Sequence, residues 1–179
     1  MDARLQSLEA EAGKRRDLDN PPLHLWHPPL SGDIPIEIAA DGSWYHDGGR
    51  IKRHALVRLF ASILRREEDG EYYLVTPAEK WRISVARHAL MVTDFELSAA
   101  EPPQLRVTLN TDRKVTVDAE HPLYLDPEME GIAAIRLDHG LSALFTRAAW
   151  YRLVDRAEEV DGVPSVSSGG EVYPLLESP

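Results

Sequence analysis

The chain has 179 residues, with 20 Lys and Arg against 30 Asp and Glu, a formal net charge of −10 and no cysteine. Without Cys there is no disulfide framework, zinc–thiolate site or thiol nucleophile. A net-acidic chain also lacks the clustered cations that binding a nucleic-acid polymer requires. Hydrophobic content of 43% with four Trp points to a packed core rather than disorder.

Met1 to Asn20 carries no apolar run and includes Lys14-Arg15-Arg16, which argues against a secretory signal. No stretch approaches the roughly 20 apolar residues of a membrane span. A cytoplasmic protein without membrane insertion is expected. Residues 2–18 read as a short polar helix with a thin apolar stripe at Leu5, Leu8 and Ala12. Such a helix is marginal alone and must dock to persist. Pro21-Pro22 stops it, and Leu23 to Pro29 is too rich in proline for an interior strand. That segment is expected to wrap the surface in extended form, anchored by Trp26.

Ile34, Ile36 and Ile38 alternate with Pro35 and Glu37, and Asp41-Gly42 turns the chain into a return strand at Ser43 to His46. Asp47-Gly48-Gly49 makes the next turn, before a short strand at Arg50 to Lys52. A helix is expected from His54 to Glu67, with Leu56, Leu59, Phe60 and Ile63 on one face. Strands follow at Tyr72–Val75, Trp81–Val85 and Leu90–Leu97. After Pro102-Pro103 they continue at Leu105–Leu109, around Val115 and Val117, at Leu123–Leu125 and at Ile132–Leu137. A second helix is expected from Leu141 to Arg156. From Val163 onward Pro, Ser and Gly suggest a loose tail.

An internal repeat is visible. His54-Ala55-Leu56-Val57-Arg58-Leu59-Phe60 aligns with His139-Gly140-Leu141-Ser142-Ala143-Leu144-Phe145, with identity at His, both Leu and Phe. Upstream, Ile34, Ile36, Ile38 and Asp41 match Leu105, Val107, Leu109 and Asp112 in pattern. The fold class read from this is α+β, built from duplicated hairpin-plus-helix units. The expected organisation is an N-terminal helical arm (1–22), a first unit (23–80), a second unit (81–163) and a tail (164–179).

Several strings resemble the bacterial family called domain of unknown function 1285. They are Gly32-Asp33-Ile34, Asp41-Gly42-Ser43-Trp44, Leu59 to Glu67 and Tyr73 to Lys80. The resemblance covers about Pro21 to Gly162. It implies a duplicated α+β fold whose C-terminal half is pleckstrin-homology-like. It also implies a ligand site at the interface of the units, for a nucleotide-like molecule, and a role in signalling. No catalytic reaction comes with it.

Residues 50–66 carry Arg50, Lys52, Arg53, Arg58, Arg65 and Arg66 without a single acid. This basic island can hold a phosphate or carboxylate, and its plainer reading is a solvated helix face. On a continuous helix, Arg58 and Arg65 point away from the apolar stripe, whereas Arg66 sits at its edge and can reach an interface. Thr76-Pro77-Ala78-Glu79 has the spacing of a capping box on a short turn. The same exposed N–H groups, with the Thr76 hydroxyl and Lys80, could also hold an anion. Trp44, Trp81 and Trp150 could stack on a planar base. Packing is the preferred role for Trp150. Seven scattered His, with no H-E-x-x-H or C-x-x-C, argue against a metal.

The expected function is a non-enzymatic regulatory or sensor protein for a small anionic, nucleotide-like ligand, without cofactor. Its expected site residues are Arg66, Thr76, Lys80, Trp44 and Arg53. One alternative is a protein–protein interaction module, favoured by any apolar patch at Leu23 to Leu30. The other is an enzyme acting on a phosphorylated small molecule, which needs a nucleophile and base in reach.

Overall fold

The computed structural model describes residues 2–14 and 20–177. The chain divides into two compact units, Met1–Ala89 with His139–Leu141, and Leu90–Asp138 with Ser142–Pro179. The boundary falls at Ala89 rather than at Lys80, because the strand expected to open the second unit closes the sheet of the first.

Unit 1 opens with α1 (Ala3–Gly13), whose N-cap Asp2 accepts a hydrogen bond from the Arg4 backbone N–H. The stripe Leu5, Leu8 and Ala12 is buried, and α1 docks on α2 (His54–Ser62). Residues 15–18 of the expected first helix lie outside the described residues. The Pro-rich segment runs past a single 3-10 turn at Leu23–Leu25, and Trp26 is buried as an anchor.

Two three-stranded meanders follow. The first is β1 (Gly32–Ile38), β2 (Trp44–His46) and β3 (Gly49–Arg50). The second is β4 (Leu64–Arg66), β5 (Tyr72–Val75) and β6 (Lys80–Val85). Within each meander the strands are antiparallel, and β1 pairs parallel with β6. The sheet order is therefore β3-β2-β1-β6-β5-β4. Ile34, Ile36 and Ile38 point into the core while Asp33 and Glu37 point out, as a period of two requires. The α2 residues Leu56, Leu59 and Phe60 are buried too, and the Phe60 ring stacks 6.4 Å from Trp44. Each such large apolar side chain contributes about 1.5–3 kcal/mol by leaving water.

Unit 2 repeats this topology. Its first meander is β7 (Leu90–Ser98), β8 (Gln104–Leu109) and β9 (Lys114–Thr116). Its second is β10 (Leu123–Asp126), β11 (Ile132–Arg136) and β12 (Ser142–Phe145). Here β7 pairs parallel with β12, and the order is β10-β11-β12-β7-β8-β9. The helix α3 (Arg147–Asp155) comes after the last strand and packs on β7, β11 and β12. A small antiparallel sheet of β13 (Glu158–Val160), β14 (Val163–Ser168) and β15 (Glu171–Pro174) completes the unit.

The fold is thus α+β with two duplicated units, each two meanders joined by the parallel pairing of first and last strands. The repeat lies in the sheets, and the residue alignment read from the sequence is displaced from it. His54–Phe60 is helical, whereas His139–Phe145 covers a 3-10 turn and β12. Consecutive left-handed residues, His139 at φ +60° and Gly140 at φ +72°, break any helix there. The helix begins only at Arg147, where Thr146 accepts the Ala149 N–H as N-cap.

The expected helix over His54–Glu67 likewise stops at Ser62. There the Ser62 hydroxyl bonds back to the Leu59 carbonyl, and Leu64 to Arg66 turn to pair with β5. The expected loose tail is β14 and β15. Gly169 and Gly170, both at positive φ, make a two-residue hairpin turn that buries Val166 and Tyr173.

Candidate functional site

All five expected site residues fall in unit 1, and the contacts of each are mainly structural. Trp44 is a core residue, 1% exposed against Phe60. Stacking on a ligand is closed to it. Arg53 is the N-cap residue of α2. Its side chain is 66% exposed and lies 3.4 Å from Glu9.

Thr76 opens the four-residue turn between β5 and β6. Its hydroxyl oxygen accepts from the N–H groups of Ala78 at 3.3 Å and Glu79 at 3.0 Å, while its own N–H donates to the Glu79 carbonyl at 2.9 Å. The turn caps itself as expected, but no helix follows. The Glu79 carboxylate accepts from Ser7 of α1 instead of reaching back to Thr76.

Lys80 belongs to a polar layer on the outward face of the sheet. Cross-strand register aligns Asp33, Arg82, Tyr73 and Arg65 over β1, β6, β5 and β4. The Arg82 Nε donates to Asp33 at 2.8 Å. Lys80 Nζ donates to Glu67 at 2.8 Å and sits 4.7 Å from the centre of the Tyr73 ring. Arg65 donates to the other Glu67 oxygen at 2.9 Å and to the carbonyls of Leu23 and Trp26 at 3.0 and 2.9 Å. Arg65 was expected in solvent on a helix. Its side chain is only 12% exposed, because β4 turns it onto the Pro-rich segment. Burial pushes the Glu67 carboxyl up, but the Lys80 and Arg65 hydrogen bonds outweigh this and hold it below its ordinary value.

Arg66 differs from these. It is exposed at the end of β4, its guanidinium lies 5.2 Å from the centre of the Tyr72 ring, and Nε donates to the Gly70 carbonyl at 3.2 Å. Among the described residues no carboxylate pairs with it. The Gly140 backbone packs against the Arg66 carbonyl and Cβ and helps fix the strand end that carries it. An open groove of about 490 Å³ elsewhere on unit 1 is lined by Arg4, Asp33, Glu71, Arg82 and Ser84. Its cations are already committed, Arg82 to Asp33 and Arg4 to Asp2.

No spacing along the chain foretells a cluster formed by Asp2, His46 and Asp47. His46 and Asp47 are adjacent, but the third member comes from the N-cap of α1, and only docking of α1 brings it in. Among the described residues, no helix is long and apolar enough to cross a membrane.

Comparison with known proteins places this architecture. Residues 21–87 match the family model described as Domain of unknown function (DUF1285), N-terminal domain, and residues 89–175 match Protein of unknown function (DUF1285), C-terminal domain. The chain is similar to the crystal structure of a DUF1285 family protein from Silicibacter pomeroyi DSS-3, at 36% identity and a TM-score of 0.84, with 94% of each chain covered. It is also similar to a DUF1285 family protein from Shewanella baltica OS155, at 30% identity and a TM-score of 0.59, over 70% of this chain and 94% of that one. No curated protein matches the chain. With both family models spanning its two units, the chain belongs to the DUF1285 family.

Proposed function

We propose that this is a non-enzymatic regulatory or sensor protein that binds a small anionic, nucleotide-like ligand, with Arg66 as the group that meets the anion. The observation that carries this reading is the state of the Arg66 guanidinium. It is held in place by Tyr72 and the Gly70 carbonyl, yet no described carboxylate neutralises it, in a chain of net charge −10. A guanidinium fixed at Nε keeps its terminal N–H groups for two parallel bonds to a phosphate or carboxylate. Arg53 is a second exposed cation in the basic island, paired with Glu9 at only 3.4 Å. Lys80 and Thr76 serve the sheet and its turn, so the proposal rests on Arg66 rather than on all five residues.

Thermal shift with nucleotides and inorganic phosphates is the test, since a ligand that binds only the folded chain raises its melting temperature by mass action. A shift present in the wild type and absent in Arg66→Ala supports the proposal. No shift with any anion at millimolar concentration, or one that survives Arg66→Ala, ends it.

A second reading, a protein–protein interaction module, is favoured by the Pro-rich segment, where Leu25 is 66% exposed and Leu30 48%. A chain with both replaced by Ser should then lose a partner that the wild type retains.

A further inference from the structure

We propose that Asp2, His46 and Asp47 form a binding site for a divalent transition-metal ion, zinc being the reference case. His46 lies on the core-facing side of β2, and its Nε2 is sealed from solvent with no hydrogen-bond partner. That atom faces two carboxylates, 3.5 Å from the Asp2 Oδ2 and 3.7 Å from the Asp47 Oδ2. Both separations exceed the roughly 2.7–3.2 Å of an N–H···O hydrogen bond. They suit a different geometry. Metal bonds of about 2.0–2.2 Å in a tetrahedral array put neighbouring donor atoms about 3.3–3.6 Å apart. All three donor atoms lie within 4.8 Å of one another, and rotation of the exposed Asp47 carboxylate closes the span around one ion.

The chemistry of the set agrees. One imidazole with two carboxylates suits zinc and its neighbours better than calcium or magnesium, which prefer all-oxygen shells. Three protein ligands leave a fourth position for water.

Two features orient the acids. Asp47 occupies the β2–β3 turn at φ +50°, followed by Gly48 at +77°, a two-residue turn that places its side chain beside His46. Asp2 is fixed by Arg4, which donates to Oδ1 from its backbone N–H and Nε, and to Oδ2 from Nη2 at 2.7 Å. Arg4 is itself anchored on the Asp33 carbonyl at 2.8 Å and lies 5.9 Å from the centre of the Trp81 ring. Arg4 also puts one positive charge beside the site. Two carboxylates against one guanidinium still leave the neutral-His cluster at −1, and on Asp2 the ion takes the place of the longer 3.2 Å bond from Arg4 Nε to Oδ2, while Nε keeps its bond to Oδ1. The ion would tie the N-terminus of α1 to the β2–β3 hairpin.

The experiment is calorimetric titration of the chelator-treated full chain, free of any tag beside Asp2, by zinc chloride. Cobalt chloride serves as an absorbing substitute. One saturable site per chain is expected, with affinity at least tenfold weaker in Asp47→Asn. This substitution keeps the turn conformation, because Asn tolerates a positive φ, and it sits on an exposed residue that does not threaten the fold. His46→Gln should abolish binding, and Glu96→Gln in unit 2 should leave it unchanged. Absence of saturable binding overturns the proposal. So does binding that Asp47→Asn does not weaken, or binding lost on replacing His24 and His27.

Discussion

Gly140 lies so close to Arg66 that a Cβ placed on it would stand 2.7 Å from the Arg66 carbonyl oxygen and 3.2 Å from its Cβ. The position is also at φ +72°, where an L side chain is strained. The left-handed conformation alone costs about 1–2 kcal/mol. Backbone atoms of a paired strand cannot yield as a flexible side chain can, so the clash adds to this. Gly140→Ala should lose about 2–4 kcal/mol, and scanning calorimetry should read a fall of roughly 2–4 °C per kcal/mol. Gly131→Ala is the control. It has a similar φ of +75° but open space around the added methyl, so only the conformational cost applies.

Glu67 joins Arg65 and Lys80, and removing it strands a cation whose side chain is only 12% exposed. Glu67→Ala should destabilise the chain by about 1–3 kcal/mol, less than for a fully buried pair because water reaches part of the network. The pH dependence follows from the direction of its shift. The folded chain holds the Glu67 carboxyl below its ordinary value of 4.5. Its contribution is therefore complete above that value and lost as pH falls through the folded one. Urea midpoints of wild type and variant should differ at neutral pH and converge as acid is added. A constant gap down to the lowest accessible pH would show that the lost contact is packing rather than charge.

The strands with clean alternation, such as β1 and β8, were legible because one face of each is buried and the other is wet. All three helices were found, but the end of α2 and the start of α3 were not. Ile63-Leu64 and Leu141 to Phe145 have the apolar spacing of a helix, and pairing with β5 in one case and with β7 and β11 in the other overrode it. No local signal foretells that pairing. The consequence reached the site, since Arg65 and Arg66 change faces when a helix becomes a strand. Arg65 goes to Glu67 and the Pro-rich segment, and Arg66 to Tyr72. The Thr76 turn was legible as self-capping because its donors are local. The Asp2–His46–Asp47 cluster was not, because its members meet only through the docking of α1.

Tyr73 donates its hydroxyl to Asp69 and also meets the Lys80 ammonium through its ring. The Asp69 carboxylate, followed by burial, pushes the phenol up to about 12 from 10.0. A raised phenol favours the folded chain up to the unfolded value, and that stability drains as pH climbs from about 10 towards 12. Absorbance titration of the phenolates should show Tyr73 as a late component near 12, with Tyr173 also ionising above 10.0. The late component should vanish in Tyr73→Phe. It should also move down in Asp69→Asn, which removes the charge but keeps an acceptor. A late component that persists in Tyr73→Phe would assign it to Tyr173, whose phenol is raised by burial.

Ser168 fastens the final sheet of unit 2 to its six-stranded sheet. The residue is fully buried at the end of β14, donates its hydroxyl to the Val117 carbonyl, and accepts from the Leu105 N–H of β8 at 2.8 Å. Ser168→Ala changes the volume by one oxygen but leaves a buried donor and a buried acceptor without partners. A lost partner of this kind costs about 1–3 kcal/mol, more than the net worth of an ordinary hydrogen bond. Amide exchange separates the local effect from a global one. In Ser168→Ala the Leu105 amide should exchange far faster, while the Ala134 amide of the central strand β11, paired on both sides, keeps its protection. Equal loss at both would mean that the variant loosens the whole unit, and unchanged protection at Leu105 would mean that water has taken the place of the hydroxyl.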